Sequence, residues 1–384
     1  MPTHEQFMQR AIELAERASG NTSPNPLVGA VIVQNDEIIG EGWHKRAGGP
    51  HAEVDAINNA RKNYNDLSDT TLYVSLEPCS HHGKTPPCTQ AILDAGIPNV
   101  VYASADTNDT AAGGGTVLAN AGVHVTANVR EKEANYTNRF FFHYQKHRTP
   151  FVIAKFASSL DGRTASRTGN SKWITGEAAR QRGHTARQAV DVIIVGALTA
   201  IADNPQLNVR NTDAHPYTDA SHPVRILLDS RGRVPLSNAL FDAALPGKTI
   251  VATTDAMPSD HRQQLNNKGV ETLTLPCNQI TNRPDLHALM HKLGERQVQS
   301  VLIEGGNSVL GSFFDAGLVN EVWAFIAPMI IGGENAAPSV GGLGVDFLND
   351  AHRLTDVNVE YLSGDFLLKG RVATPNPPSA TGVC

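Results

Sequence analysis

Apolar positions open the chain at helical spacing. Phe7, Ala11, Leu14, Ala15 and Ala18 recur through residues 4–18 and predict an amphipathic helix. Ser23-Pro24-Asn25-Pro26 follows as a rigid non-helical loop, since proline lacks the N–H a helix needs. Residues 29–33 are an unbroken apolar run and predict a buried strand. Asn35-Asp36 turns that strand back through Ile38-Ile39-Gly40 as a hairpin. A helix is predicted at 51–62, a strand at 71–76, a short helix at 88–95 and a strand at 99–104. Strands alternating with helices predict an α/β layered unit.

A polar, basic stretch ending in proline, His143-Tyr144-Gln145-Lys146-His147-Arg148-Thr149-Pro150, interrupts the pattern. Beyond it the alternation restarts, with strands predicted at 151–156, 190–195, 225–229, 249–253, 300–304 and 322–326 and a helix at 177–188. Two domains are therefore expected, 1–147 and 148–384. From about residue 373 the chain is rich in Pro, Ser, Thr and Gly and reads as a loose tail. No repeat at a solenoid period is present.

Composition narrows the function classes. A chain of 384 residues fits two domains at roughly 100–200 residues each. Lys+Arg is 32 against Asp+Glu 38, a net charge of −6, so neither a nucleic acid nor a membrane surface is the expected partner. A local basic pocket for a small phosphorylated ligand stays open. Only four cysteines are present, Cys79, Cys88, Cys277 and Cys384, too few for a disulfide scaffold. Met1-Pro2-Thr3-His4-Glu5 shows no secretion pattern, and the apolar stretch 189–202 is too short to cross a bilayer. A cytoplasmic location is expected.

The sharpest chemical signal is His51-Ala52-Glu53 followed by Pro78-Cys79 and, after an inserted loop with His81, His82 and Lys84, Cys88. One imidazole and two thiolates supply three of zinc's four tetrahedral positions and leave one for water, the arrangement of a catalytic site. His51 and Glu53 fall at one predicted helix start and Cys88 at another, where negative charge is stabilised. Glu53, two positions from a ligand, is placed to take a proton from that water and pass it to a leaving amine. The pattern is that of zinc nucleobase deaminases, except that residues 80–87 separate the cysteines where two residues are usual. A structural zinc site would use His81 or His82 as a fourth ligand.

The second half lacks Gly-x-Gly-x-x-Gly. It offers two strand-to-helix loops instead, Val195-Gly196-Ala197-Leu198-Thr199, with Thr199 as a capping hydroxyl, and Ile303-Glu304-Gly305-Gly306-Asn307-Ser308. Both place backbone N–H groups where a phosphate binds. Arg187 and Arg210 are suited to bidentate phosphate contacts. Lys155, on a predicted strand, would orient a sugar. Cys277 is expected to be a buried thiol, and Trp43 and Trp323 to be packing residues.

Thr22-Ser23-Pro24-Asn25-Pro26, His51-Ala52-Glu53 and Ser75-Leu76-Glu77-Pro78-Cys79 through Cys88 resemble the bifunctional riboflavin-biosynthesis deaminase/reductase family. So do Lys155 to Arg163, Ser171-Lys172-Trp173-Ile174-Thr175, Ala202-Asp203-Asn204-Pro205 and Glu304-Gly305-Gly306. The resemblance implies a cytidine-deaminase-like three-layer α/β domain followed by a domain similar to dihydrofolate reductases. It implies zinc-dependent deamination of a phosphorylated diaminopyrimidinone, 2,5-diamino-6-ribosylamino-4(3H)-pyrimidinone 5′-phosphate, then NADPH reduction of the ribosyl group to ribityl. In the first half it implies His51, Cys79 and Cys88 as zinc ligands, Glu53 as proton shuttle, and Asn25, His44 and Lys84 as substrate contacts. In the second it implies Ala157, Trp173, Thr199, Asp203 and Ser230 beside the cofactor, with the loop from Gly306 through Asn307 and Ser308 to Ser312 on its phosphates. Ser171, Arg187, Leu207, Arg210 and Glu304 would contact the sugar phosphate. A homo-oligomer is expected. One departure is local: the family's Asp-Pro-Asn-Pro is replaced by Asp106-Thr107-Asn108-Asp109-Thr110 and a glycine run at 113–115, which alters one flank of the deaminase pocket.

Two rival functions share parts of this pattern. A nucleic-acid deaminase of the tRNA-editing kind should show the short cysteine spacing and a basic surface. A zinc-stabilised binding module with an inactive nucleotide-binding fold should be indifferent to the loss of Glu53.

Overall fold

The computed structural model describes residues 3–81, 86–107, 112–209, 222–279 and 281–373. The chain divides into two compact units, Met1–Arg148 and Thr149–Cys384.

In the first unit the described elements run α1 (His4–Glu16), β1 (Gly29–Gln34), β2 (Glu37–Trp43), α2 (Ala52–Ala60), β3 (Thr71–Leu76), α3 (Cys88–Asp94), β4 (Asn99–Ser104), α4 (Gly114–Asn120), β5 (His124–Thr126), α5 (Glu131–Thr137) and α6 (Arg139–His147). Five strands form one sheet in the order β2-β1-β3-β4-β5. The β1–β2 and β1–β3 pairs are antiparallel, and β3–β4 and β4–β5 are parallel. Because successive residues of a strand face opposite ways, β1 divides its side chains between two cores. Ala30 and Ile32 join Ala52, Ala56 and Ile92 of α2 and α3 on one face. Val31 and Val33 join Phe7, Met8, Ala11 and Leu14 of α1 on the other. Helices on both faces give the expected three layers.

The second unit runs β6 (Phe151–Ser159), α7 (Glu177–Gln188), β7 (Val192–Gly196), α8 (Ala197–Asp203), β8 (Val224–Leu228), β9 (Thr249–Thr253), α9 (Ser259–Asn267), β10 (Glu271–Thr274), α10 (Leu286–Glu295), β11 (Ser300–Ile303), α11 (Asn307–Asp315), β12 (Glu321–Ala327), β13 (Leu354–Leu362) and β14 (Asp365–Val372). Its nine strands lie in the order β10-β9-β8-β7-β11-β6-β12-β14-β13. Every pair from β10 to β12 is parallel, and β14 and β13 add antiparallel at the end. A core of Val152, Ile194, Ile226, Val301 and Ile303 packs under Leu289, Leu293, Leu310 and Phe313 of α10 and α11.

The structure extends the sequence-based expectations in two places. The basic stretch before Pro150 includes the last turns of α6, and residues 354–372 form the β13–β14 hairpin. Cys277 is half-buried rather than enclosed, while Trp323 is buried as expected.

Arg225 is the largest fully buried side chain. It donates to Thr249 Oγ1 at 2.9 Å and to the carbonyls of Pro246 at 2.5 Å and Gly247 at 2.9 Å. With no carboxylate opposite it among the described residues, burial pulls its pKa down to about 10. Arg225→Met removes the charge but leaves those acceptors without donors. It is expected to cost about 2–3 kcal/mol, measured as a lower urea midpoint for the unfolding of the second unit.

Candidate functional sites

In the first unit, His51 is the N-cap of α2, Glu53 lies in its first turn, and Cys88 is the first residue of α3 behind Pro87. Cys79 follows β3 across Glu77-Pro78. The loop is held by Glu77 N–H donating to Ser104 O and by Thr89 N–H donating to Cys79 O. Two helix starts and a strand end thus bring three ligands to one point. Their ligating atoms lie within 4.8 Å of one another. His51 Nδ1 is 3.1 Å from Cys88 Sγ and 3.6 Å from Cys79 Sγ. Tetrahedral zinc, with bonds of about 2.3 Å to sulfur and 2.0–2.1 Å to nitrogen, needs N···S edges of roughly 3.6 Å, so these residues fit the ion. His81 is exposed and stands outside the cluster, which leaves three protein ligands among the described residues.

A hydrogen bond joins the two thiols. Cys79 is drawn down by its hydrogen bond with Cys88, and Cys88 is pushed up by the same bond and by burial. Glu53 is 3% exposed, and its carboxyl faces the Cys88 thiol. Burial raises its pKa, against the pull of His51.

His44 is buried and lies edge-on to His51 with ring centroids 5.6 Å apart. Its Nδ1 is 2.9 Å from Pro50 O, and a carbonyl only accepts, so Nδ1 carries the hydrogen. Burial pushes the imidazole toward its neutral form, and Nε2 therefore accepts from Asn25 Nδ2 at 3.1 Å. The Asn25 amide is fixed with its nitrogen toward His44. Lys84, His82 and the replaced residues 108–111 lie outside the described residues. The rest of that flank is firm. Glu77 accepts from Asp106 N–H at 3.2 Å and Gly115 N–H at 2.9 Å. Gly114 packs so closely that a Cβ there would sit 1.7 Å from Pro78 O, so the glycine run lets α4 lie directly against the cysteine loop.

In the second unit, a cavity of about 1100 Å³ crosses the C-terminal ends of the parallel strands. Lys155, Ser171, Arg187 and Glu304 line it, as do Ala157, Trp173, Thr199, Asp203 and Ser230. Gly306, Asn307, Ser308 and Ser312 contribute the start of α11. Gly196 is the N-cap of α8, and Thr199 stands in the first turn behind it rather than capping. Leu207 is buried and is not part of the lining, and Arg210 lies outside the described residues.

At one end is a half-buried charged triad. Arg187 forks onto Glu304, Nε to Oε1 at 2.5 Å and Nη2 to Oε2 at 2.9 Å, while Nη1 donates to Asn208 O at 3.1 Å. Lys155 Nζ is 3.7 Å from Glu304 Oε2. Burial alone would raise the Glu304 carboxyl. The charges of Arg187 and Lys155 outweigh it and hold the group at about 2. Burial lowers the Lys155 ammonium despite Glu304. Arg187 therefore spends its fork on a carboxylate, a use not visible from its sequence position. Trp173 is 71% exposed with Arg180 stacked 4.4 Å over its ring, an open aromatic face at the cavity rim. Sequence reasoning passed over Arg231 and Arg233, which also line the cavity. The signal was the placement of Ser230-Arg231-Gly232-Arg233 just past a strand end.

Comparisons with known proteins agree across both units. A family model described as the cytidine and deoxycytidylate deaminase zinc-binding region matches residues 1–104, and one described as the RibD C-terminal domain matches residues 150–368. The riboflavin biosynthesis protein RibD of Actinobacillus pleuropneumoniae is 42% identical over 373 residues, covering 96% of this chain and 95% of that protein. The protein of that name from Escherichia coli is 38% identical, covering 86% and 89%. Among solved structures, Acinetobacter baumannii RibD superposes with a TM-score of 0.83 at 37% identity, over 97% of this chain and 99% of that one. A Thermotoga maritima structure described as a diaminohydroxyphosphoribosylaminopyrimidine deaminase/5-amino-6-(5-phosphoribosylamino)uracil reductase gives 0.82 at 36%, over 96% and 99%.

Proposed function

Because this chain belongs to the bifunctional riboflavin-biosynthesis deaminase/reductase family, with a zinc-dependent deaminase unit and an NADPH-dependent reductase unit, we propose which residues carry each reaction. The substrate of the first unit is the phosphorylated diaminopyrimidinone, and its product is the substrate of the second. The observation that carries the deaminase assignment is the buried Glu53 beside a His51–Cys79–Cys88 cluster with three protein ligands.

His51, Cys79 and Cys88 hold the zinc, and Glu53 is the proton carrier. The bound ion supplies Lewis acidity that brings a water proton within reach of a carboxylate near neutral pH. Glu53 accepts that proton as the water oxygen bonds to the amine-bearing ring carbon. It then delivers the proton to the amine, and ammonia leaves as the C–N bond breaks. Asn25, turned by His44, presents its Oδ1 as an acceptor for a ring or amino N–H. Lys84 is assigned to the substrate on the family resemblance alone.

In the second unit NADPH supplies the hydride. Ala157, Trp173, Thr199, Asp203, Ser230 and residues 306–308 hold the cofactor. Lys155, Ser171, Arg187 and Glu304, which line the cavity, hold the sugar phosphate, with Glu304 and Lys155 orienting its hydroxyls beside C1′; Leu207 and Arg210 are assigned to it on the family resemblance alone.

A coupled assay on the purified chain tests both halves, following ammonia release and NADPH loss separately. A zinc chelator is expected to stop ammonia release while supplied deaminated substrate still consumes NADPH. NADPH loss that vanished with zinc would overturn the division of labour.

The reduced ligand thiols suit a cytoplasmic setting. A homo-oligomer is supported by β13, an edge strand whose Val357, Val359 and Tyr361 are exposed, with Phe366 beside Tyr361. Sedimentation of the intact chain should give a multimer, and V359K/Y361K a smaller species. A monomeric wild type would end this assignment.

A further inference from the structure

The cavity of the second unit has cations at both ends, and they differ in whether their charge is already answered. Lys155 and Arg187 face Glu304 at one end. At the other, past the end of β8, Arg231 and Arg233 line the wall. Arg231 is exposed, and its guanidinium makes no ion pair or hydrogen bond among the described residues. Arg233 reaches a carboxylate only through Nε, at 3.5 Å from Asp229.

The backbone beneath these two side chains is fixed. Asp229, 1% exposed, accepts from Val234 N–H at 2.9 Å and from Arg231 N–H at 3.4 Å. Thr254 Oγ1 donates to Ser230 O at 3.0 Å. Gly232 takes φ +67° against His261, where a Cβ would lie 2.7 Å from the ring. Of the other carboxylates that line the cavity, Asp203 answers the charge of Lys172, and two more are held by backbone N–H groups. Asp285 caps α10 through Ala288 N–H, and Asp315 accepts from Leu343 and Gly344 N–H. Two guanidiniums on a rigid turn, one unanswered and one loosely paired, are suited to a dianion with several oxygens.

The strand order sets the length of the ligand. Lys155 is on β6, and Arg231 follows β8, three strand intervals away through β11 and β7. At about 4.8 Å per interval the two ends are roughly 14 Å apart. The start of α11, assigned above to the cofactor's phosphates, follows β11 between them. A sugar phosphate seated at Glu304 does not reach that far, whereas an extended dinucleotide does.

We propose that Arg231 and Arg233, with the Ser230 hydroxyl, clamp the 2′-phosphate on the adenosine ribose of NADPH and set the preference of this enzyme for NADPH over NADH. The proposal rests on the assignment of this cavity to the nicotinamide cofactor. Calorimetric titration of the full chain with NADPH, NADH and adenosine 2′,5′-bisphosphate tests it. The wild type is expected to bind NADPH about a hundredfold more tightly than NADH. R231Q/R233Q should bring NADPH to the level of NADH, leave NADH where it was, and lose most of its affinity for adenosine 2′,5′-bisphosphate. R231K/R233K should keep most of the preference, because the positive charge remains. Equal weakening of both dinucleotides, or a rise confined to the KM of the phosphorylated pyrimidine, would overturn the clamp while leaving the cofactor site in place. A wild type that binds neither dinucleotide would overturn the cofactor site itself.

Discussion

Glu53→Gln is expected to slow ammonia release by about 10²–10⁴-fold while the zinc content stays near one ion per chain. The substitution preserves shape and volume, so the ligands at His51, Cys79 and Cys88 keep their positions. What it removes is a group that both accepts and returns a proton. No solvent molecule readily stands in, because the side chain is 3% exposed. Stability should change little. Burial already disfavours the charged carboxylate, so a neutral amide costs the fold no favourable charge. NADPH oxidation with supplied deaminated substrate should be untouched. Ammonia release at the wild-type rate would remove Glu53 from the mechanism.

Glu304→Gln is expected to abolish measurable NADPH turnover and to destabilise the second unit by about 1–3 kcal/mol, because it leaves two half-buried cations without their counter-charge. The pH dependence has a definite sign. Glu304 is held at about 2, below its ordinary value of 4.5, so its contribution is complete above pH 4.5 and is lost as the pH falls toward 2. The variant should show a flatter acid-unfolding curve across that window. Adding Arg187→Met removes one of the stranded cations. It should recover part of the stability and none of the turnover, which separates the folding role of the triad from its place at the substrate. An equally steep acid transition in the single variant would mean that the triad does not govern acid stability.

The two halves of the molecule were legible from sequence to different degrees. Strands buried on both faces announce themselves as apolar runs, and Thr71–Leu76, Asn99–Ser104 and Thr249–Thr253 have the predicted limits. The β13–β14 hairpin escaped because Val357, Val359 and Tyr361 alternate with polar residues but turn their apolar side to the exterior. The end of α6 reads in the sequence as a break in the pattern because Lys146, His147 and Pro150 are polar, basic and helix-ending. They are also what a helix C-terminus carries, cations at the negative end of the dipole and a proline just past it. The metal cluster was readable because its ligands sit at local features, two helix starts and a strand end. The Arg187–Glu304 pair was not, since 117 residues separate partners that only the sheet order brings together.

The choice of two cysteines, Cys79 and Cys88, as ligands has a consequence for how the enzyme acquires its metal. Both sulfurs coordinate as thiolates, so a thiol that still carries its proton must expel it when the ion arrives. Loading is therefore an acid-releasing reaction. Each proton released makes apparent metal affinity about tenfold weaker for every unit of acidification. The deaminase half should then lose its ion in mild acid well before the fold gives way, and the reductase half, which holds its charges by a different set of partners, should not follow it.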